Sequence, residues 1–257
     1  MKFGLNLYSI RSLIGTAEQF SETARAVRRM GYDSIQYSGG PYDPEVITRV
    51  SRESGLPVVL THVPYSRIVE ETDRLMAEHE RFGCRNIGLG AIPAEALCDE
   101  ALFEAQVSAL ERAAQSMQER GFTFFYHHHH FDFAPYRDTT YFAYMVEHAP
   151  HIHFTLDTYW LQYGGVDVCD TIRRMAGRAE CLHLKDYRIE RNGMEFKAYH
   201  PVITSVGDGG MDFARIIDCA KRAGTEHFLV EQDNAVAAAD PLAEVERSIR
   251  YLRAHFG

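Results

Sequence analysis

The chain lacks the marks of several protein classes. Its five cysteines (Cys84, Cys98, Cys169, Cys181 and Cys219) are odd in number, scattered and never spaced as CxxC. That excludes a disulfide framework and a zinc knuckle, and fits reduced thiols in the cytoplasm. The opening MKFGLNLYSI has one lysine and no apolar h-region, so no secretory signal is expected. No apolar run approaches the roughly 18 residues that a membrane span needs. Clustered cations are missing as well: 27 Lys and Arg stand against 36 Asp and Glu, a formal net charge of −9. Phosphate contacts need clustered Lys and Arg, so a nucleic acid is not the expected partner. No linker or low-complexity tract divides the chain, and no dinucleotide fingerprint follows the first apolar run.

What is present is a repeat. Along 257 residues, eight short β-rich runs alternate with longer amphipathic stretches. The runs are Lys2–Tyr8, Ser34–Tyr37, Pro57–His62, Asn86–Gly90, Thr123–His129, His153–Asp157, Cys181–Lys185 and His227–Glu231. Between them, segments such as TAEQFSETARAVRRMG and MDFARIIDCAKRAG carry apolar residues at helical spacing, and end in basic residues followed by Gly. Strand–helix alternation implies parallel βαβ units, in an open doubly wound sheet or a closed barrel. Eight repeats without a dinucleotide fingerprint favour one (β/α)₈ barrel domain over residues 1–257, which is near the typical length of about 250. One long connection, Tyr187 to Asp208, follows the seventh run and is expected to be functional.

In such a barrel the polar residues at the C-terminal strand ends form the active site. Histidine is abundant at 13, and four stand in a row, His127 to His130. Runs five to eight each finish in a metal-capable group: the histidine run, Asp157, His183 and Glu231. A lone Asp or Glu at a strand end is more often a cap or a surface charge, and a lone His more often core. Four neighbouring strand ends sharing the feature favour one metal centre. Asp157, Glu231 and His183 offer two carboxylates and an imidazole, with His127 or His129 as a fourth ligand. Mixed O/N ligation suits Mn²⁺, Co²⁺, Fe²⁺ or Zn²⁺, with Mn²⁺ favoured, better than Ca²⁺. His62 is a candidate proton shuttle or substrate contact, with core packing as its competing role. Lys185 is a candidate oxyanion partner, against a salt bridge to Asp157 or Asp233. Tyr8 and Trp160 are candidate walls for a sugar ring. Gly207-Asp208-Gly209-Gly210 could cradle an anion at a helix start, although a bare turn is the simpler reading. His151, His153 and His227 lie at strand starts, at the wrong end for catalysis.

Nearly the whole chain resembles the xylose isomerase-like TIM barrel superfamily of sugar isomerases and epimerases, which also holds inosose dehydratases and endonuclease IV. The resemblance is carried by YSIRS, GYDSIQYSG, THVPYS, YHHHHFDF, LDTYW, HLKDY, VGDGGMDF and VEQDN, in that order. It implies metal ligands at the ends of strands five to eight, which by position are His127, Asp157, His183 and Glu231. His127 stands where sugar epimerases usually carry Glu, Gln36 where many relatives have Glu, and Asp132 where a YHNHxxEF subgroup has Glu. The resemblance implies a metal-dependent isomerase or epimerase acting on a sugar or keto-sugar through an enediolate. In that chemistry Glu231, His129 or His62 transfers the proton, and Lys185 steadies the oxyanion. A lyase or dehydratase on a keto-sugar or inosose is the near alternative. An endonuclease would want a basic groove and more metal-binding residues, and a barrel that binds sugar without turnover is a further alternative. A homo-oligomer is compatible with the sequence.

Overall fold

The computed structural model describes all 257 residues. Eight parallel strands close into a barrel: β1 (Gly4–Asn6), β2 (Ser34–Tyr37), β3 (Val58–His62), β4 (Asn86–Leu89), β5 (Thr123–His127), β6 (His153–Asp157), β7 (Cys181–Leu184) and β8 (His227–Val230). Neighbours in sequence are neighbours in space, and β8 pairs with β1 to complete the ring. Helices pack around the outside, and no helix is long and apolar enough to cross a membrane.

Local chemistry sets the helix boundaries. Helix Ala17–Met30 starts at Thr16, whose side chain and that of Gln19 cap each other's backbone N–H, and stops at Gly31 with φ 102°. The side chains of Asp43, Asp99, Asp212 and Asp240 accept from first-turn N–H groups and cap the helices Pro44–Ser54, Glu100–Glu119, Phe213–Ala223 and Pro241–Phe256.

Several strands are shorter than the sequence suggests. Strand one was expected over Lys2–Tyr8 but leaves the sheet at Leu7, where the Asn6 side chain accepts from Tyr8 N and opens a 3₁₀ segment. Strand five was expected to reach His129 but stops at His127, since the Asp132 carboxylate takes the His129 N–H. The connection after β7 is not irregular: Asp186–Arg191 and Tyr199–Thr204 form an antiparallel ribbon.

The main core fills the space between barrel and helices. A separate plug of Leu60, Phe125, Cys181 and Leu229 contributes from β3, β5, β7 and β8. Strand alternation places His62, His127, His183 and Glu231 two residues beyond these four, on the same face. The plug is therefore the floor on which the polar cluster stands.

Candidate metal centre

Register brings the strand ends together. Asp157 lies opposite His183, and Leu229 is paired with the same histidine, so Glu231 emerges one layer above it. His127 Nε2, Asp157 Oδ2, His183 Nδ1 and Glu231 Oε2 converge, and the four residues' ligand atoms lie within 4.8 Å of one another. His183 Nδ1 is 2.8 Å from Glu231 Oε2, 3.2 Å from His127 Nε2 and 3.8 Å from Asp157 Oδ2. His127 Nε2 is 3.5 Å from Asp157 Oδ2 and 4.0 Å from Glu231 Oε2. Atoms bound about 2.1 Å from one ion lie roughly 3–4 Å from each other, so the spacing suits a single small cation. His129, the other sequence candidate for the fourth ligand, is not in this cluster.

Satisfaction of the polar atoms supports the same fit. Asp157 Oδ2 and Glu231 Oε2 are buried and accept no hydrogen bond. The Lys185 ammonium stands 3.0 and 3.1 Å from them and 2.8 Å from Asp233 Oδ2, close enough to pair but without hydrogen-bond direction. Two carboxylate oxygens and two facing imidazole nitrogens are thus left for a cation to share. Both readings of Lys185 meet here: it pairs with Asp157 and Asp233, and also reaches Glu231.

Neighbouring groups hold the four side chains in place. Asp157 Oδ1 caps Trp160 N at 3.0 Å, while Asp157 N donates to His128 Nε2 at 3.0 Å. Asn6 Nδ2 donates to Glu231 Oε1 at 2.7 Å. Gln36 Oε1 lies 2.7 Å from His183 Nε2. Thr158 Oγ1 clamps the Lys185 backbone, accepting from its N–H and donating to its C=O. Asp132, buried beneath His129, binds His129 N and the Tyr126 hydroxyl. Burial raises its carboxyl to about 7 against those two bonds. Asn6, His128, Asp132 and Asp233 had no assigned site role in the sequence. Asn6, His128 and Asp233 showed only a polar side chain at or just beyond a strand end, and Asp132 only its place in the YHHHHFDF motif.

Charge follows from burial set against the local field. Burial alone would raise Asp157 and Glu231, but the Lys185 ammonium holds both carboxyls well below their usual range. Burial opposes the charge on Lys185 too, and Asp157 and Glu231 outweigh it, pushing the amine up. Burial would lower His183, yet Glu231 and Asp157 bring it up to about 9. Burial pushes His127 well below the usual value and takes His62 and His128 down to about 3 and His129 to about 4. The centre therefore holds one imidazolium among neutral rings. The His183 pair stabilises the metal-free fold fully below pH ~6.5, and that contribution is lost as pH rises through about 9. Melting curves of chelated protein should record a loss on the order of a few kcal/mol across that window, and none in His183→Asn.

A cavity of about 260 Å³ opens above the cluster, lined by Tyr8, His62, His127, His129, Glu231 and Asp233 among others. Trp160 stands beside it, its ring 5.3 Å from that of His129 and 4.9 Å from Lys185 Nζ. Tyr8 is 37% exposed at the rim, one face covered by the Arg11 guanidinium at 4.1 Å. A larger groove of about 440 Å³ lies elsewhere, against Phe142 and Met175, and contains none of the cluster. The Gly207–Gly210 turn is filled from within: Asp186 accepts from the N–H groups of Gly207, Gly209 and Met211. His151 and His153 pair with Glu111 and Glu180, away from the centre.

Fold and cluster together define a single-domain (β/α)₈ barrel of enzymatic type, with a metal-competent centre at its C-terminal mouth. The chain belongs to the xylose isomerase-like TIM barrel family, whose model matches residues 24–255. An inosose dehydratase of Geobacillus kaustophilus (strain HTA426) is 28% identical over 167 residues, 58% of this chain and 52% of that relative. This chain thus spans about half the length of that relative. A sugar phosphate isomerase/epimerase of Parabacteroides distasonis ATCC 8503 shares the fold with a TM-score of 0.78 at 19% identity, over 99% of this chain and 94% of that one. A xylose isomerase-like barrel of Mycobacterium smegmatis, solved in complex with magnesium, gives 0.72 at 15% identity over 98% and 95%.

Proposed function

We propose that the protein is a divalent-metal-dependent isomerase or epimerase of a sugar or keto-sugar, working through an enediolate. The observation that carries this is the convergence of His127, Asp157, His183 and Glu231 at the foot of a cavity of about 260 Å³. These four would hold the ion: Mn²⁺ first, then Co²⁺, Fe²⁺ or Zn²⁺, with Mg²⁺ added by the Mycobacterium smegmatis relative. A divalent ion bound there polarises a substrate carbonyl and acidifies the neighbouring C–H.

The chain's own groups divide the remaining work. Lys185 Nζ, fully buried and charged, stabilises negative charge developing on the substrate oxygen. Both Glu231 oxygens are engaged, one by Asn6 and one in the cluster. His129 has a buried Nδ1 without a partner and a neutral ring at physiological pH, so it is the better placed proton acceptor. Tyr8 and Trp160 flank the cavity and wall the sugar.

Dehydration is the second reading. The Geobacillus relative favours it, and so does the Lys185–Asp233 pair, an ammonium placed to hydrogen-bond a departing hydroxyl.

Keto-sugars and inososes incubated with Mn²⁺-loaded protein in D₂O separate the two. Deuterium on carbon with the skeleton intact supports isomerisation or epimerisation, and loss of water supports dehydration. Turnover should vanish in Glu231→Gln, and full activity in that variant would sink the assignment. Binding without exchange or water loss across the panel would leave a sugar-binding barrel.

A further inference from the structure

Gln36, next to the last residue of strand β2, is a fully buried amide that joins two histidines of the site. Its Oε1 is 2.7 Å from His183 Nε2, and its Nε2 is 3.0 Å from His62 Nε2 and 3.1 Å from Ser38 Oγ. An amide link has a direction, because the oxygen only accepts and the NH₂ only donates. His183 turns Nδ1 toward the ligand cluster, so its remaining ring proton sits on Nε2 and must meet an acceptor. Gln36 Oε1 is that acceptor. The NH₂ end is thereby aimed at His62, whose Nε2 must present a lone pair. The reversed amide would set an NH₂ against the His183 N–H, two donors face to face.

His62 is left as a neutral ring with one proton, on Nδ1. That nitrogen faces the cavity across Gly90, where a methyl group would come within 3.2 Å of it. Glycine at this position keeps the approach open.

We propose that Gln36 is a positioning residue that locks His62 as the Nδ1–H tautomer, making it a hydrogen-bond donor to a substrate oxygen. The donor role rests on the cavity taking an oxygen-rich substrate as proposed above; the tautomer does not. It revises the expectation that His62 shuttles a proton, since the ring nitrogen facing the cavity has no lone pair with which to accept one. A Glu at this position would accept from both rings and reverse the His62 proton.

The test is NMR of ¹⁵N-histidine-labelled protein, metal-free and Zn²⁺-loaded, with the His62 signals assigned by their loss in His62→Gln. Couplings from each ring nitrogen to the carbon-bound ring protons identify the protonated one. Wild type should show His62 protonated on Nδ1 in both states. Gln36→Glu should move the proton to Nε2, and Gln36→Met, which keeps the volume and removes both hydrogen bonds, should release the lock toward Nε2–H. An Nε2–H ring in the wild type overturns the proposal, as does an unchanged Nδ1–H ring in either variant. Turnover plays no part in this readout, so failure of the tautomer and failure of the isomerase reading are told apart.

Discussion

Asp157→Ala is expected to abolish metal uptake and turnover together, and to weaken the fold more than Asp157→Asn does. The carboxylate has two roles on its two oxygens. Oδ1 accepts from Trp160 N and caps the helix Thr158–Tyr163. Oδ2 faces the cluster, 3.5 Å from His127 Nε2 and 3.0 Å from the Lys185 ammonium. Both substitutions remove the anionic group proposed to bind the metal. Loss of a group merely supporting a metal ligand costs about 10–100-fold in affinity, so loss of the ligand itself should cost at least about 100-fold. Asparagine retains the cap and alanine does not, which separates the two variants by about 1 kcal/mol in denaturant unfolding. Elemental analysis of protein purified without chelator reads the first effect. About one equivalent of metal is expected in the wild type and none in either variant. A full equivalent in Asp157→Ala would remove this residue from the centre.

The cluster of four metal-capable side chains was legible in the sequence because its position is a local property. His127 and Asp157 end a recognisable β run, His183 lies next to the end of its strand and Glu231 just past the end of its own, and the barrel rule gathers such ends at one mouth. Helix limits were legible for a similar reason, as with Thr16, Gln19 and Gly31, where capping is decided within a few residues. Strand limits were not. The apolar pattern runs on through Leu7 and Tyr8, but pairing stops where Asn6 and Asp132 take backbone N–H groups away from the ladder. The ribbon after β7 leaves no mark in the sequence because it is largely solvated, with Ile189 and Tyr199 more than half exposed, so it has no buried face to reveal its period. The contacts supporting the cluster depend on ring closure. Gln36 meets His183 across 147 residues and Asn6 meets Glu231 across 225, distances that no spacing rule spans. Gln36 was visible only as a departure from relatives with Glu there, and its link to His62 and His183 needed the closed barrel.

Lys185→Met should produce opposite changes in metal binding and catalysis. In the metal-free protein the ammonium is the buried counter-charge shared by Asp157, Glu231 and Asp233. Methionine has nearly the same length and no charge, so it leaves three carboxylates facing one another with only His183 in opposition. Breaking a buried pair from one side costs about 3–5 kcal/mol, which is a large share of a typical fold's stability. The pH dependence has a definite sign. Asp157 and Glu231 are held low by Lys185, so their contribution is present above the unfolded value near pH ~4 and is lost as pH falls through the folded one. The variant lacks most of that contribution, so the gap from wild type is widest near neutrality and narrows on acidification. A divalent ion can take over the missing charge, and at 100 times its Kd should restore about 2.7 kcal/mol. Because no ammonium then competes for Asp157 Oδ2 and Glu231 Oε2, the variant should also bind the ion more tightly than the wild type. Turnover should nevertheless fall, since the group proposed to meet the developing oxyanion is gone. Thermal melts with and without Mn²⁺ from about pH 2 to pH 8, set beside a metal titration, read all three effects. Weaker metal binding in Lys185→Met would mean that the ammonium helps to organise the ligands instead of standing in the ion's place.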